Sequence, residues 1–163
     1  MATAGIGAIV TTRVNRRTSD AAVATAHEQG ATELAKLRVE LEDTERLRRD
    51  AAYRQLIETL NRLDSYGTGS KTATDEQLNE VLDRYVSDLA AVLLLGTTEV
   101  QAVLDSVRVV VYGVQAEAEE ATENVITLEA WKVAYGPRRD EYENRIGNLI
   151  DAMRDDIYGR DGA

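Results

Sequence analysis

Apolar residues recur at helical spacings through the first third of the chain, at Val23, Ala26, Leu34, Leu37, Leu41, Leu47, Leu56, Leu60 and Leu63. Residues three and four apart share one side of a helix, whereas a strand would alternate. Between Ser19 and Ser65 there is no proline, and Gly30 is the only glycine. Thr18, Ser19 and Asp20 offer side-chain oxygens to cap a first turn. The polar positions carry Glu42/Arg46, Glu45/Arg49, Asp50/Arg54 and Glu58/Arg62, each an acid four residues before a base. Each such pair adds roughly 0.2–0.5 kcal/mol to a helix. The pattern predicts one helix from about Ser19 to Tyr66, and Asp20 to Leu63 would span roughly 65 Å at helical rise.

The stripe does not keep one register. Leu34, Leu37 and Leu41 fit one heptad seam, and Tyr53, Leu56, Leu60 and Leu63 fit another, with Thr44, Arg48 and Ala51 between them. A coiled coil must hold its seam over several heptads, so a strict coiled coil along the whole helix is disfavoured. The expectation is a helix with two uses. Residues 49–63 have leucines enough to join a core, and residues 20–47 are thin in leucine and project as a stalk. Gly30 weakens that first half by about 1 kcal/mol relative to alanine.

Four further segments follow. Tyr66–Ala73 is a loop rich in glycine and hydroxyl residues. Thr74 and Gln77 have the spacing of a capping box, opening a helix over residues 75–95 whose apolar face is Leu78, Val81, Leu82, Tyr85, Leu89, Val92 and Leu93. Ala90–Leu95 is apolar all round and is expected to be buried. Gly96 is expected to end this helix with a left-handed residue. Thr97 or Thr98 caps a third helix, with Glu99 in its first turn and Val100, Val103, Leu104, Val107, Val111 and Val114 on one side. Val107–Val114 is β-branched, but the helical spacing around it and the lack of a partner strand favour helix. Gly113 suits a close helix approach or a bend. Asn124–Thr127 interrupts the helix, and Thr127 caps a short segment from Leu128 to Tyr135 carrying Trp131. Gly136-Pro137 is a break that starts the last helix at Pro137, with Tyr142, Ile146, Leu149, Ile150, Met153 and Ile157 facing a core. The fold class expected is all-α: a long N-terminal helix whose second half joins a four-helix-type bundle. The expected organisation is 1–18 a disordered or membrane-proximal tail, 19–48 a helical stalk, 49–158 the bundle and 159–163 a frayed tail.

Composition narrows this picture. There is no cysteine and no phenylalanine, so tyrosine, the single tryptophan and aliphatic residues must fill the core. The net charge of −10 is unevenly spread: residues 1–70 hold ten Lys/Arg and ten Asp/Glu, residues 71–163 nine and nineteen. An acidic second half repels phosphates and disfavours nucleic-acid binding there. Met1–Thr12 carries no charged side chain and is followed by Arg13, Arg16 and Arg17. About 20 apolar residues are needed to span a bilayer, so this run is too short. The basic residues follow the apolar run rather than preceding it, which is not a signal-peptide order. A frayed terminus, an interfacial anchor and the tail of a longer span remain as readings, with Arg13, Arg16 and Arg17 as a candidate membrane-proximal basic cluster.

Candidate chemistry is sparse. Gly69-Ser-Lys-Thr resembles the end of a phosphate-binding loop, but Ser70 separates the glycine from Lys71, Asp64 stands where the upstream glycine belongs, and a helix precedes it where the motif needs a strand. Glu119, Glu120 and Glu123 read as a solvated acidic face, since bundle metal sites pair glutamate with histidine and the only histidine is His27. No catalytic residue, cofactor or metal ligand is expected.

The segment Asp88-Leu-Ala-Ala-Val-Leu-Leu-Leu-Gly-Thr-Thr-Glu-Val-Gln, the Arg13–Arg17 cluster and Ala51-Ala-Tyr-Arg-Gln-Leu together resemble a loose group of small actinobacterial and actinophage proteins. The resemblance implies a short N-terminal membrane helix with a basic flank, a long charged helix and a small helical bundle. This chain departs from it in lacking a full span. The group has no established activity, so no functional residue is carried over.

The functional expectation is a non-enzymatic helical protein–protein interaction module of phage or prophage origin, cytoplasmic or tethered near the inner membrane face. The candidate interaction face is Leu34, Leu37, Leu41 and Leu47. Its partner is another protein or a second copy, with the membrane surface a candidate partner for residues 1–17. The alternative is a self-assembling coiled-coil scaffold.

Overall fold

The computed structural model describes the backbone of residues 4–122 and 125–159, and side chains from residue 25 onward within that range. Every described element is helical. They are α1 (Ala4–Gly67), α2 (Asp75–Leu95), α3 (Thr98–Ala121), α4 (Leu128–Tyr135), a single 3₁₀ turn (Gly136–Arg138) and α5 (Arg139–Tyr158). The chain divides into two compact units, Met1–Glu45 and Arg46–Ala163, and α1 contributes to both.

In the first unit α1 begins at Ala4, not near Ser19. Nothing between Ala4 and Ser19 interrupts a helix, because Gly5 and Gly7 are tolerated and proline is absent. The segment over residues 1–18 expected to be disordered or membrane-proximal is thus helical from Ala4. Its side chains lie outside the described residues, and so do residues 160–163 of the expected frayed tail.

The second unit is a bundle with one core. The core stripe of α1 is Ala52, Tyr53, Leu56, Leu60 and Leu63, all buried. It meets Leu78, Val81, Leu82, Tyr85, Leu89 and Val92 from α2 and Val100, Leu104, Val107, Val110, Val111 and Val114 from α3. Tyr142, Ile146, Leu149, Met153 and Ile157 close the core from α5, and α4 contributes Trp131 and Tyr135 at one end. The backbone of α3 runs close to those of α5 and α4. With no phenylalanine, the largest fully buried side chains are Trp131, Tyr85, Tyr135 and Tyr142.

Each buried aromatic polar atom needs a partner, and most find one on α1. The Trp131 indole donates to the carbonyl of Leu63 at 3.3 Å, and the Tyr142 hydroxyl donates to that of Leu60 at 2.7 Å. Tyr135 donates to Asp64 and packs edge-to-face on Tyr142 with centroids 5.2 Å apart. A Cβ on Gly67 would stand 2.4 Å from the Tyr135 ring, so only glycine lets the end of α1 lie against that ring. One buried polar pair joins α1 to α2: the Thr59 hydroxyl donates to Asp88 Oδ2 at 2.7 Å, with Arg84 Nε 3.6 Å from the same oxygen.

Tyr85 is the exception. It is buried, its ring stands edge-on to Tyr112 at 6.1 Å, and its hydroxyl has no hydrogen-bond partner among the described residues. An unpaired buried hydroxyl carries its full desolvation cost, whereas a paired one contributes about 1 kcal/mol net. Tyr85→Phe is therefore expected to leave stability unchanged or raise it by up to about 1 kcal/mol, and Tyr142→Phe to lower it by about 1 kcal/mol. Urea midpoints of the two variants measured side by side check the contrast. Equal losses would show that Tyr85 has a partner after all.

The ends of the elements follow local chemistry. Thr74 and Gln77 form the reciprocal capping box of α2. Asp75, in the first turn of α2, accepts the Leu128 N–H at 2.7 Å, and Asn79 donates to the Ile126 carbonyl at 3.3 Å, fastening the approach to α4. Thr127 caps α4 by accepting the Ala130 N–H, while Thr97 occupies the N-cap of α3 without a side-chain cap bond. Val107–Val114 is helical within α3.

Three local expectations are corrected. Gly96 does not end α2 in the left-handed region: its backbone is extended, at φ −75°. The Gln101 side chain donates to the carbonyls of Leu93 (2.9 Å) and Gly96 (3.0 Å), doing the work of a left-handed stop. Gly96 is needed for closeness instead, because a Cβ there would lie 2.8 Å from the Val92 carbonyl and 3.1 Å from the Tyr53 hydroxyl. The last turns of α2 are not buried all round. Leu94 is 83% exposed and Ala90 is exposed, because the core covers only the Leu89–Val92 side of the helix. Pro137 does not open the last helix. It lies in the 3₁₀ turn, where the Arg139 N–H reaches the Gly136 carbonyl, and α5 begins at Arg139. Proline supplies no N–H for an α-type bond at that point, and the tighter turn results.

Candidate functional site

The residues named as a candidate face fall out as follows. Leu34, Leu37 and Leu41 are 69%, 60% and 62% exposed. At roughly 100° per residue they stay within one narrow arc of α1, forming a stripe over about two turns. Two exposed glutamates, Glu33 and Glu40, lie seven residues apart and border one side of it. Arg38 and Glu45, also exposed and seven apart, border the other. Leu47 is exposed as well, but it lies in the Arg46–Ala163 unit. The stripe within the first unit thus holds three of the four leucines named for the face. His27 is exposed, and a Cβ at Gly30 would meet nothing within 4 Å. Arg13, Arg16 and Arg17 lie within α1, but their side chains are outside the described residues.

In the bundle, the expected ion pairs Asp50/Arg54 and Glu58/Arg62 form at 2.8 Å and 2.6 Å. The Arg49 Nε lies 3.3 Å from Asp156 Oδ2 of α5, and that N–H is not aimed at the oxygen. The Tyr53 hydroxyl donates to the same Oδ2 at 2.7 Å. Burial first, and then the bond to Asp156, push the Tyr53 hydroxyl far above the ordinary tyrosine range. The cluster ties α1 to α5 as a structural clasp. It offers an acceptor already filled by a donor, not a nucleophile beside a free base.

Two apolar surfaces of the bundle escaped the sequence reading. One is a groove of about 400 Å³ between α1 and α5, floored by Tyr53, Ile57, Ile150, Met153 and Ile157 and rimmed by Asp50, Arg54 and Arg154. Ile57 stands one residue beyond the Leu56 stripe, and that doubled apolar position was the available signal. The other is the outward side of α2, where Val86, Leu93 and Leu94 lie seven and eight residues apart and are exposed. No helix is long and apolar enough to cross a membrane, and no group of three His, Cys, Asp or Glu side chains is placed to hold a metal ion, among the described residues.

Similarity to other proteins adds no assignment: no family model, no curated protein and no solved structure matches the chain.

Proposed function

We propose that this chain is a non-enzymatic protein–protein interaction module that docks a partner on the Leu34–Leu37–Leu41 stripe of α1. The observation that carries the reading is the exposure of three leucines in one arc, each more than half open to solvent. Leucine seldom stands exposed at successive turns of a solvated helix, and apolar patches rimmed by charge mark interaction surfaces. A helix presenting anchors at i, i+3 and i+7 has the spacing that a helix-in-groove or helix-on-helix partner reads. The proposal extends to phage or prophage origin and to a place near the inner membrane face. Its support there is the resemblance of the Asp88–Gln101 segment and the basic residues Arg13, Arg16 and Arg17.

Site-specific photo-crosslinking in the native host tests the docking role. A crosslinking residue at position 37 is expected to give one discrete adduct that disappears when Leu34 and Leu41 are changed to aspartate. The same residue at position 133, where Val133 is 68% exposed on α4, serves as the control. Equal adducts at both positions, or none at position 37, would overturn the reading.

A further inference from the structure

The charges beside the stripe bear on which helix it takes. In heptad terms Leu34 and Leu41 occupy one seam position and Leu37 the other, with Glu33 and Glu40 on one flank and Arg38 and Glu45 on the opposite flank. All four flanking residues are exposed. Flanking charges of paired helices face one another across the seam and set partner choice and direction.

Self-pairing meets like charge in every arrangement that stacks leucine on leucine. In a parallel, in-register pair, Glu33 faces Arg38 of the second copy favourably, but Glu40 faces Glu45. In an antiparallel pair centred between Leu37 and Leu41, Glu40 faces Glu40 and Arg38 faces Arg38. Centred between Leu34 and Leu37, the antiparallel pair sets Glu33 against Glu40. The leucine run is only three residues long, so it has little apolar surplus with which to override these contacts. A helix of another chain escapes the conflict by carrying basic residues opposite the uniform glutamate flank.

We propose that the stripe is selective for a helix of a different chain whose apolar seam is bordered by lysine or arginine facing Glu33 and Glu40, and that it rejects a second copy of this chain. This rests on the docking role proposed above. Apolar contact supplies the attraction, and the Glu33/Glu40 flank supplies the choice between partners. Since the flanking charges are exposed, the preference must weaken as salt rises.

The test uses the full chain and two labelled synthetic helical peptides, each about three heptads long, with the same leucine seam. One carries lysine and the other glutamate at the flanking positions. Fluorescence anisotropy at low salt is expected to show the lysine peptide binding about tenfold or more tightly, a gap that narrows in concentrated salt. The double variant Glu33→Lys/Glu40→Lys, at two exposed positions outside the core, is expected to reverse the order. Sedimentation equilibrium is expected to show no self-association lost on Leu37→Asp. Equal affinity for the two peptides, binding of neither, or no reversal in the double variant would overturn the charge selection. A dimer dissolved by Leu37→Asp would overturn the rejection of self. The crosslinking result at position 37 stands apart from all of these, so loss of the docking role and loss of its selectivity are read separately.

Discussion

Raising the pH above about 10, the range of an ordinary tyrosine hydroxyl, is expected to unfold the bundle in one steep step. Tyr53, Tyr85, Tyr135 and Tyr142 are all held above that range, in each case chiefly by burial. A bond to Asp156 adds to the effect for Tyr53 and a bond to Asp64 for Tyr135. A phenol that stays protonated in the folded state but ionises in the unfolded one favours folding fully below its unfolded pKa. It loses that contribution as the pH climbs, because only the unfolded state releases the proton. Each such tyrosine lowers stability by about 1.4 kcal/mol per pH unit in that window, and four together make the fall several times steeper. Tyrosinate absorbance and helical circular dichroism followed through one alkaline titration check it. Ionisation of the buried tyrosines and loss of helix should coincide. Full ionisation with the helix signal intact would contradict the burial assigned to these side chains.

Trp131→Ala is expected to cost about 3–5 kcal/mol, the range for truncating a fully buried large aromatic. Trp131 is fully enclosed, and its indole N–H is held by the Leu63 carbonyl. It sits where α4 meets the end of α1, so the cavity left behind would be walled by elements already fixed elsewhere. A domain of this kind has roughly 5–15 kcal/mol in total, so the variant sits near the edge of folding. Trp131→Phe fills most of the space but loses the indole bond, and its cost should be clearly smaller. Val133→Ala, two residues on and exposed, should stay within about 0.5 kcal/mol. Urea unfolding of the three variants followed by circular dichroism orders them. A Trp131→Ala loss no larger than that of Val133→Ala would mean that α4 is not part of the core.

The architecture was legible in the sequence where one local signal sufficed. The α2 bounds followed from the Thr74/Gln77 box and the spacing from Leu78 to Val92. The second half of α1 followed from Leu56, Leu60 and Leu63, and the burial of Trp131 from the lack of phenylalanine to fill the core. Legibility failed where a distant side chain decides the outcome. Gln101 satisfies the carbonyls that end α2, so the Gly96 backbone need not turn left-handed. Arg49 lies beside Asp156, more than a hundred residues away, a pairing that no local spacing announces. The apolar run Ala90–Leu95 has no local feature stating which side its neighbours cover. In the candidate site, Leu34, Leu37 and Leu41 shared a seam by spacing alone, while Leu47 lies in the other unit.

The Thr59–Asp88 bond has a consequence for how α1 and α2 are aligned along their length. Leucines at Leu56, Leu60 and Leu63 are nearly interchangeable, so sliding α1 by one turn, about 5.4 Å, would still set leucine near aliphatic side chains of α2. The same slide would bring Leu56 or Leu63 to Asp88 in place of the Thr59 hydroxyl, leaving a buried carboxylate without its donor. Arg84 stays beside that carboxylate, but a buried oxygen that loses its hydrogen-bond donor costs about 1–3 kcal/mol, more than the difference between one leucine contact and another. Greasy surfaces hold the two helices together, and a single hydroxyl tells them where to stop.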